Sequence, residues 1–242
     1  MKLLTIDIQE KRYPALAGSP EHCAIRDLKL SLDSDEFVCL VGPSGCGKTT
    51  LLHIVSGLDQ DFEGTITTHG LTTGYVFQQP RLLPWRTVRQ NIELVLPEPL
   101  IARAWVDHLL EVMNLTQVAA QYPERLSLGM SRRVALVRAF ALEPTLLLMD
   151  EPFVSLDAPT ARRIMELMIR VWEERPHAVM FVTHDLREAI GLADRIVFLQ
   201  PPPAAIQREI AITIPRSQRT ETVITDFRQH LLDNYPDIAR LL

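Results

Sequence analysis

Four short apolar runs punctuate the chain, at residues 37–41, 146–149, 179–182 and 196–199, each bounded by polar or turn residues. Runs of this length without alternation predict strands buried on both faces, as in a parallel sheet. Helices are predicted between them. Residues 48–56 read as a helix ended by Gly57, residues 131–142 as one stopped by Pro144, and residues 161–174 as one entered through Pro159 and followed by Pro176. This alternation predicts a doubly wound α/β architecture in a single domain.

Three regions depart from it. The first 35 or so residues alternate, as in Leu4-Thr5-Ile6-Asp7-Ile8, and predict antiparallel strands at the sheet edge. Residues 86–140 read as a mostly helical insertion. After Pro201-Pro202-Pro203, a tail over residues 204–242 contains one amphipathic helix, around residues 223–232, expected to pack on the main body.

Charge and cysteine usage narrow the function classes. A net charge of −5 gives no global attraction to nucleic acid. Cys23, Cys39 and Cys46 lack metal-ligand spacing and point to a reduced, cytoplasmic setting. No apolar run approaches the roughly 18 residues needed to cross a bilayer. Asp7 and Glu10 interrupt the opening before any signal-peptide core, so the chain is expected not to span a membrane.

Chemistry enters with Val38-Cys39-Leu40-Val41, Gly42-Pro43-Ser44-Gly45-Cys46-Gly47-Lys48-Thr49 and Thr50-Leu51-Leu52-His53, which read as strand, loop and helix. The glycines let backbone N–H groups turn toward phosphate oxygens, and the helix start adds the positive end of its dipole. Lys48 reaches the β- and γ-phosphates, and Thr49 can ligate Mg²⁺. Residues 42–50 are thus the predicted ATP phosphate loop. The run 146–149 delivers Asp150 and Glu151 at a strand's carboxyl end, where open α/β sheets bind ligands. Asp150 is expected to orient the Mg²⁺ shell and Glu151 to polarise the attacking water, which implies hydrolysis and not only binding.

Leu126-Ser127-Leu128-Gly129-Met130, followed by Ser131-Arg132-Arg133, completes a set with the phosphate loop, Asp150-Glu151, Ser155-Leu156-Asp157 and Val182-Thr183-His184-Asp185. That set resembles the ATP-binding-cassette (ABC) ATPases over nearly the whole chain. The resemblance implies an α/β P-loop NTPase with a mostly parallel sheet core, an N-terminal antiparallel β subdomain and a helical insertion. It implies a head-to-tail homodimer in which each ATP lies between the loop of one subunit and Ser127 and Gly129 of the other. Gln78 matches the glutamine that touches Mg²⁺ and the water, so that Thr49, Gln78 and Asp150 form the metal set. His184 matches the switch histidine bridging the γ-phosphate and the catalytic carboxylate, so that Glu151, His184 and Gln78 form the catalytic set. Asp157 matches the segment coupling the two sites, with helix capping as its local role. Tyr13 falls where the family stacks a ring on adenine, the alternative being a half-buried strand tyrosine. The other histidines, His69 and His177 among them, read as structural.

This sequence departs from the family's usual Leu-Ser-Gly-Gly-Gln at Leu128 and Met130. Leu128 adds a bulky side chain beside the phosphate site of the other subunit but can point away while its N–H still serves, so slower or more permissive turnover is expected, not loss. The stretch Gln78-Gln79-Pro80-Arg81-Leu82-Leu83-Pro84-Trp85-Arg86-Thr87-Val88 resembles most closely the ATPases of nitrate/sulfonate/taurine-type importers. As an apolar, proline-stiffened loop it suits docking, although Trp85 itself is expected in the core. The resemblance implies a peripheral subunit at the cytoplasmic face of the membrane, with a separate permease and, indirectly, an extracytoplasmic solute-binding protein as partners, a small anion as cargo, and no nucleic acid. The alternatives are a soluble non-transport ABC ATPase, for which a second cassette or long coiled coils are missing, and a regulatory nucleotide-binding module, against which Glu151 and His184 argue.

Overall fold

The computed structural model describes residues 2–15, 21–68, 70–97 and 102–241, and His69 lies outside them. In chain order the elements are β1 (Lys2–Tyr13), β2 (His22–Asp33), β3 (Phe37–Val41), α1 (Lys48–Val55), β4 (Glu63–Thr68), β5 (Thr73–Val76), α2 (Val88–Glu93), α3 (Arg103–Val112), α4 (Leu128–Ala141), β6 (Leu146–Asp150), α5 (Ala158–Glu174), β7 (Ala178–Thr183), α6 (Leu186–Leu192), β8 (Arg195–Leu199), β9 (Ile206–Ala211), α7 (Glu221–Asn234) and α8 (Pro236–Ala239). They fall into two compact units, residues 1–70 with 178–242, and residues 71–177.

In the first unit β3 lies between β7 and β8, parallel to both, and β9 pairs antiparallel with β8. Every residue of β3 and β7 is buried, which is why their sequences run apolar without alternation. The N-terminal strands do not edge this sheet, contrary to the sequence expectation. They form a sheet of their own, in the order β2-β1-β4, antiparallel throughout. The alternation itself is the reason: Leu4, Ile6 and Ile8 are buried while Thr5 and Gln9 are exposed, so β1 suits a sheet covered on one face. β4 and β9 were not predicted, because β4 has Ile66 as its one large apolar residue and β9 alternates half-buried with exposed positions. The tail helix is α7, longer at both ends than predicted, turning Ile224 and Leu231 inward and packing on α6.

In the second unit β5 and β6 pair in parallel, accompanied by α2 to α5. α4 starts three residues before its predicted first turn, because the Ser127 hydroxyl oxygen accepts from the Met130 N–H at 3.2 Å and caps it. α5 also starts early, at Ala158, under an Asp157 cap that accepts from the Thr160 N–H at 3.0 Å. Trp85 is 69% exposed and not in the core, while Leu82 and Leu83 are half-buried. Asn91 accounts for this difference. Fully buried on α2, it accepts from the Leu83 N–H at 2.7 Å and donates to the carbonyls of Leu83, Arg86 and Thr87. One side chain thus satisfies the backbone of the loop, and Trp85 projects from it without having to pack underneath.

Candidate functional site

The phosphate loop leaves β3 at Gly42 and enters α1 at Lys48. Gly47 has φ 106° and Gly45 φ 76°, left-handed values that a side chain disfavours. A Cβ on Gly47 would lie 2.8 Å from the Ala24 carbonyl oxygen, and one on Gly42 would lie 2.9 Å from that of Leu199. The loop is therefore seated directly on β2 and on the end of β8. Gly47 is also the cap residue of α1 and, having no side chain, gives that turn no capping hydrogen bond of its own. Lys48 is 5% exposed and donates to the carbonyls of Gly42 at 2.8 Å and Pro43 at 2.9 Å, so its ammonium lies across the loop mouth. Cys46 is buried beneath, its thiol pKa raised by burial against the pull of Lys48.

Two further predicted residues gather at this loop within the same unit. Val41 pairs with Thr183 across β3 and β7, so Gly42 and His184 leave adjacent strands at the same level. His184 is exposed, and Asp185 behind it caps α6 by accepting from the Arg187 N–H at 2.8 Å. The Tyr13 hydroxyl lies 3.2 Å from the Thr50 Oγ1 in the first turn of α1 and donates to Asp59 at 3.4 Å. Lys11, nearly buried, pairs with Asp59 and sets its ammonium 4.7 Å from the centre of the Tyr13 ring. Tyr13 is thus tied to the loop's helix and is 38% exposed as a residue.

The second unit carries the acidic pair. Val76 of β5 is in register with Met149 of β6, so Gln78 and Asp150-Glu151 leave neighbouring strands close together. Asp150 is 7% exposed. Glu151 is half-buried and has φ 43°, an uncommon backbone for a residue with a side chain and one that over-determined surroundings maintain at functional sites. Gln78 is exposed. Arg138 of α4 donates to the carbonyls of Pro80 at 2.8 Å and Arg81 at 3.0 Å, fixing the segment just after it.

Also in the second unit, Ser127, Leu128, Gly129, Ser155, Asp157 and Arg163 share the lining of one open cavity of about 570 Å³. The segment Leu126-Ser127-Leu128-Gly129-Met130, the family's signature segment, and the Asp157 segment are therefore neighbours. A Cβ on Gly129 would meet the Thr160 methyl at 3.2 Å, which keeps α4 and α5 close. The capping bonds from Thr160 hold the Asp157 carboxyl below its usual pKa. Leu128, in the first turn of α4, is 46% exposed and shares this lining. Sequence reasoning missed Asn91 and Arg138. The signal for Asn91 was a polar residue between Val88 and Ile92, on the buried side of a short helix.

The α/β fold and the β3–loop–α1 geometry define a P-loop NTPase. A match to the ABC transporter family covers residues 25–154, and the chain belongs to that family, as an ABC-type ATPase. The chain is 40% identical to the aliphatic sulfonates import ATP-binding protein SsuB of Bacillus licheniformis, over 96% of this chain and 94% of that one. It is 39% identical to the nitrate import ATP-binding protein NrtD of Synechococcus elongatus, over 93% and 86%. Among solved structures it is similar to the dimeric MJ0796, a bacterial ABC transporter cassette, with a TM-score of 0.74 and 30% identity over 88% of this chain and 100% of that one. A post-hydrolysis state of the same cassette bound to ADP and Pi gives a TM-score of 0.73 with 31% identity, over 88% and 100%.

Proposed function

We propose that this chain is the ATP-hydrolysing subunit of an importer that carries a small sulfonate- or nitrate-like anion through a separate permease. The observation that carries the reading is the turn from Gly42 to Lys48, with Gly45 and Gly47 left-handed, that leads from β3 into the start of α1 and sets Lys48 at its mouth. The loop and Lys48 hold the β- and γ-phosphates, with Tyr13 against the adenine. Thr49, Asp150 and Gln78 offer hydroxyl, carboxylate and amide oxygens, a hard donor set that suits Mg²⁺. That ion, when bound, neutralises phosphate charge. Glu151 orients and polarises the attacking water, and His184 steadies the γ-phosphate.

Ser127 and Gly129 act on the ATP of a second copy, with Asp157 beside them. The names of the sulfonate and nitrate relatives support the cargo class. Among the described residues no helix is long and apolar enough to cross a membrane. The chain works peripherally at the cytoplasmic face, on a permease served by an extracytoplasmic solute-binding protein, and the exposed Trp85 loop suits that permease contact. Two measurements test the reading. Glu151→Gln should bind ATP but release phosphate at least about a hundredfold more slowly, and equal release by mutant and parent removes Glu151 from the chemistry. Co-purification should recover a permease whose complex is stimulated by a sulfonate or nitrate; recovery of ribosomes or DNA in its place overturns the importer assignment.

A further inference from the structure

Helix α6 has seven residues, too few to be stable by its own propensity. It begins directly after the His184-Asp185 corner, so the position of His184 is set from two sides. On one side Thr183 is paired with Val41, and its Oγ1 donates to Glu188 at 2.6 Å. On the other side the histidine directly precedes Asp185, the residue that caps α6.

The C-terminal tail grips α6 at both ends. Arg219 Nη1 donates to the carbonyls of Ile190 at 3.0 Å, Gly191 at 3.3 Å and Ala193 at 2.8 Å, and Arg216 Nε donates to that of Leu192 at 2.8 Å. Four consecutive carbonyls at a helix C-terminus, which have no intrahelical partners, are thus taken up by two arginines of one tail segment. Their charge also faces the negative end of the helix dipole. Arg219 is anchored in turn by the Ile214 carbonyl at 2.9 Å. Arg216 pairs with Asp194 at 2.8 Å, and that carboxylate accepts from the Phe37 N–H at 2.9 Å, at the start of β3. At the other end of α6, Arg187 pairs with Glu221, the first residue of α7.

We propose that the tail, through Arg216, Arg219 and Glu221, is a positioning element for His184: by fixing α6 at both ends it sets where the histidine stands beside the phosphate loop. The inference rests on the role proposed for His184 above. To test it, Arg219→Met and Arg219→Lys are placed in the parent chain and in a His184→Ala chain, and kcat and KM for ATP are measured on the full-length protein. Arg219→Met should lower kcat about tenfold with KM unchanged, Arg219→Lys should restore about half of the lost rate, and Arg219→Met in the His184→Ala background should cost less than about twofold, because the two residues act as a unit. Equal losses in both backgrounds overturn the inference and leave the role of His184 standing. A His184→Ala chain that turns over at the parental rate overturns that role and the inference with it. If Arg219→Met loses its folded circular-dichroism signature, Glu221→Gln, in a half-exposed surface pair, is measured in the same two backgrounds and held to the same outcomes.

Discussion

α1 and α4 both start in glycine-containing segments, yet their first turns are finished in different ways. The cap residue of α1 is Gly47, with φ 106° and no side-chain cap. That of α4 is Ser127, whose hydroxyl oxygen already accepts from the Met130 N–H. The first N–H groups of a helix have no intrahelical partners, and an external anion oxygen is the natural substitute for a missing cap. α1 therefore starts without a capping side chain at Gly47, whereas α4 completes its own turn with the exposed Ser127. In the function proposed above the first is a cradle for phosphate and the second a closing surface for a second copy, so neither makes a whole site alone.

The contrast breaks most completely at Lys48. Lys48→Ala should reduce steady-state ATP hydrolysis by about 10²- to 10³-fold, and a rate within about threefold of the parent would mean that phosphate sits elsewhere. Next come the glycines. Gly47→Ala forces a side chain into left-handed backbone 2.8 Å from the Ala24 oxygen and should cost about 1–3 kcal/mol in urea unfolding. Gly129→Ala, in helical backbone facing a methyl, should cost less than about 1 kcal/mol. Comparable losses at the two glycines would erase the distinction between the helix starts.

At the cap itself Ser127→Ala should lower stability by about 1 kcal/mol, at or below the low end for Gly47→Ala, read from the thermal midpoint; an unchanged midpoint would show the cap to be idle. The smallest effect is acidic. The Asp157 carboxyl is held below its ordinary pKa by its bonds to Thr160, so its contribution is present above that ordinary value, near 3.8, and is lost as pH falls through the lowered one. The Ser127 cap does not titrate. Asp157→Asn should therefore flatten the fall in thermal midpoint below about pH 4, and an unchanged acid profile would assign that fall to other carboxylates.

The phosphate loop was legible because its residues are contiguous and their order alone specifies strand, turn and helix. β3, β6, β7 and β8 were legible because burial on both faces leaves an unbroken apolar run. Elsewhere the deciding interactions are not local. Trp85 among leucines suggests a core position, and only the four hydrogen bonds of Asn91 show why that loop stands clear. β4 and β9 are polar and are defined by their neighbours. The early start of α4 depends on a cap whose acceptor and donor are three residues apart, in a segment where Gly129 argues against helix. The grip on α6 joins residues 24 to 34 positions apart.

Mixing two defective chains tests the shared site most directly. Lys48→Ala lacks a working phosphate loop but keeps its signature segment, and Ser127→Arg lacks the signature but keeps its loop. Each alone should be nearly inactive, and an equimolar mixture of the two folded proteins should recover ATPase activity, because one composite site per mixed dimer has both halves intact. A mixture no more active than its separate components, at concentrations where mixed dimers form, would contradict a site shared between two copies.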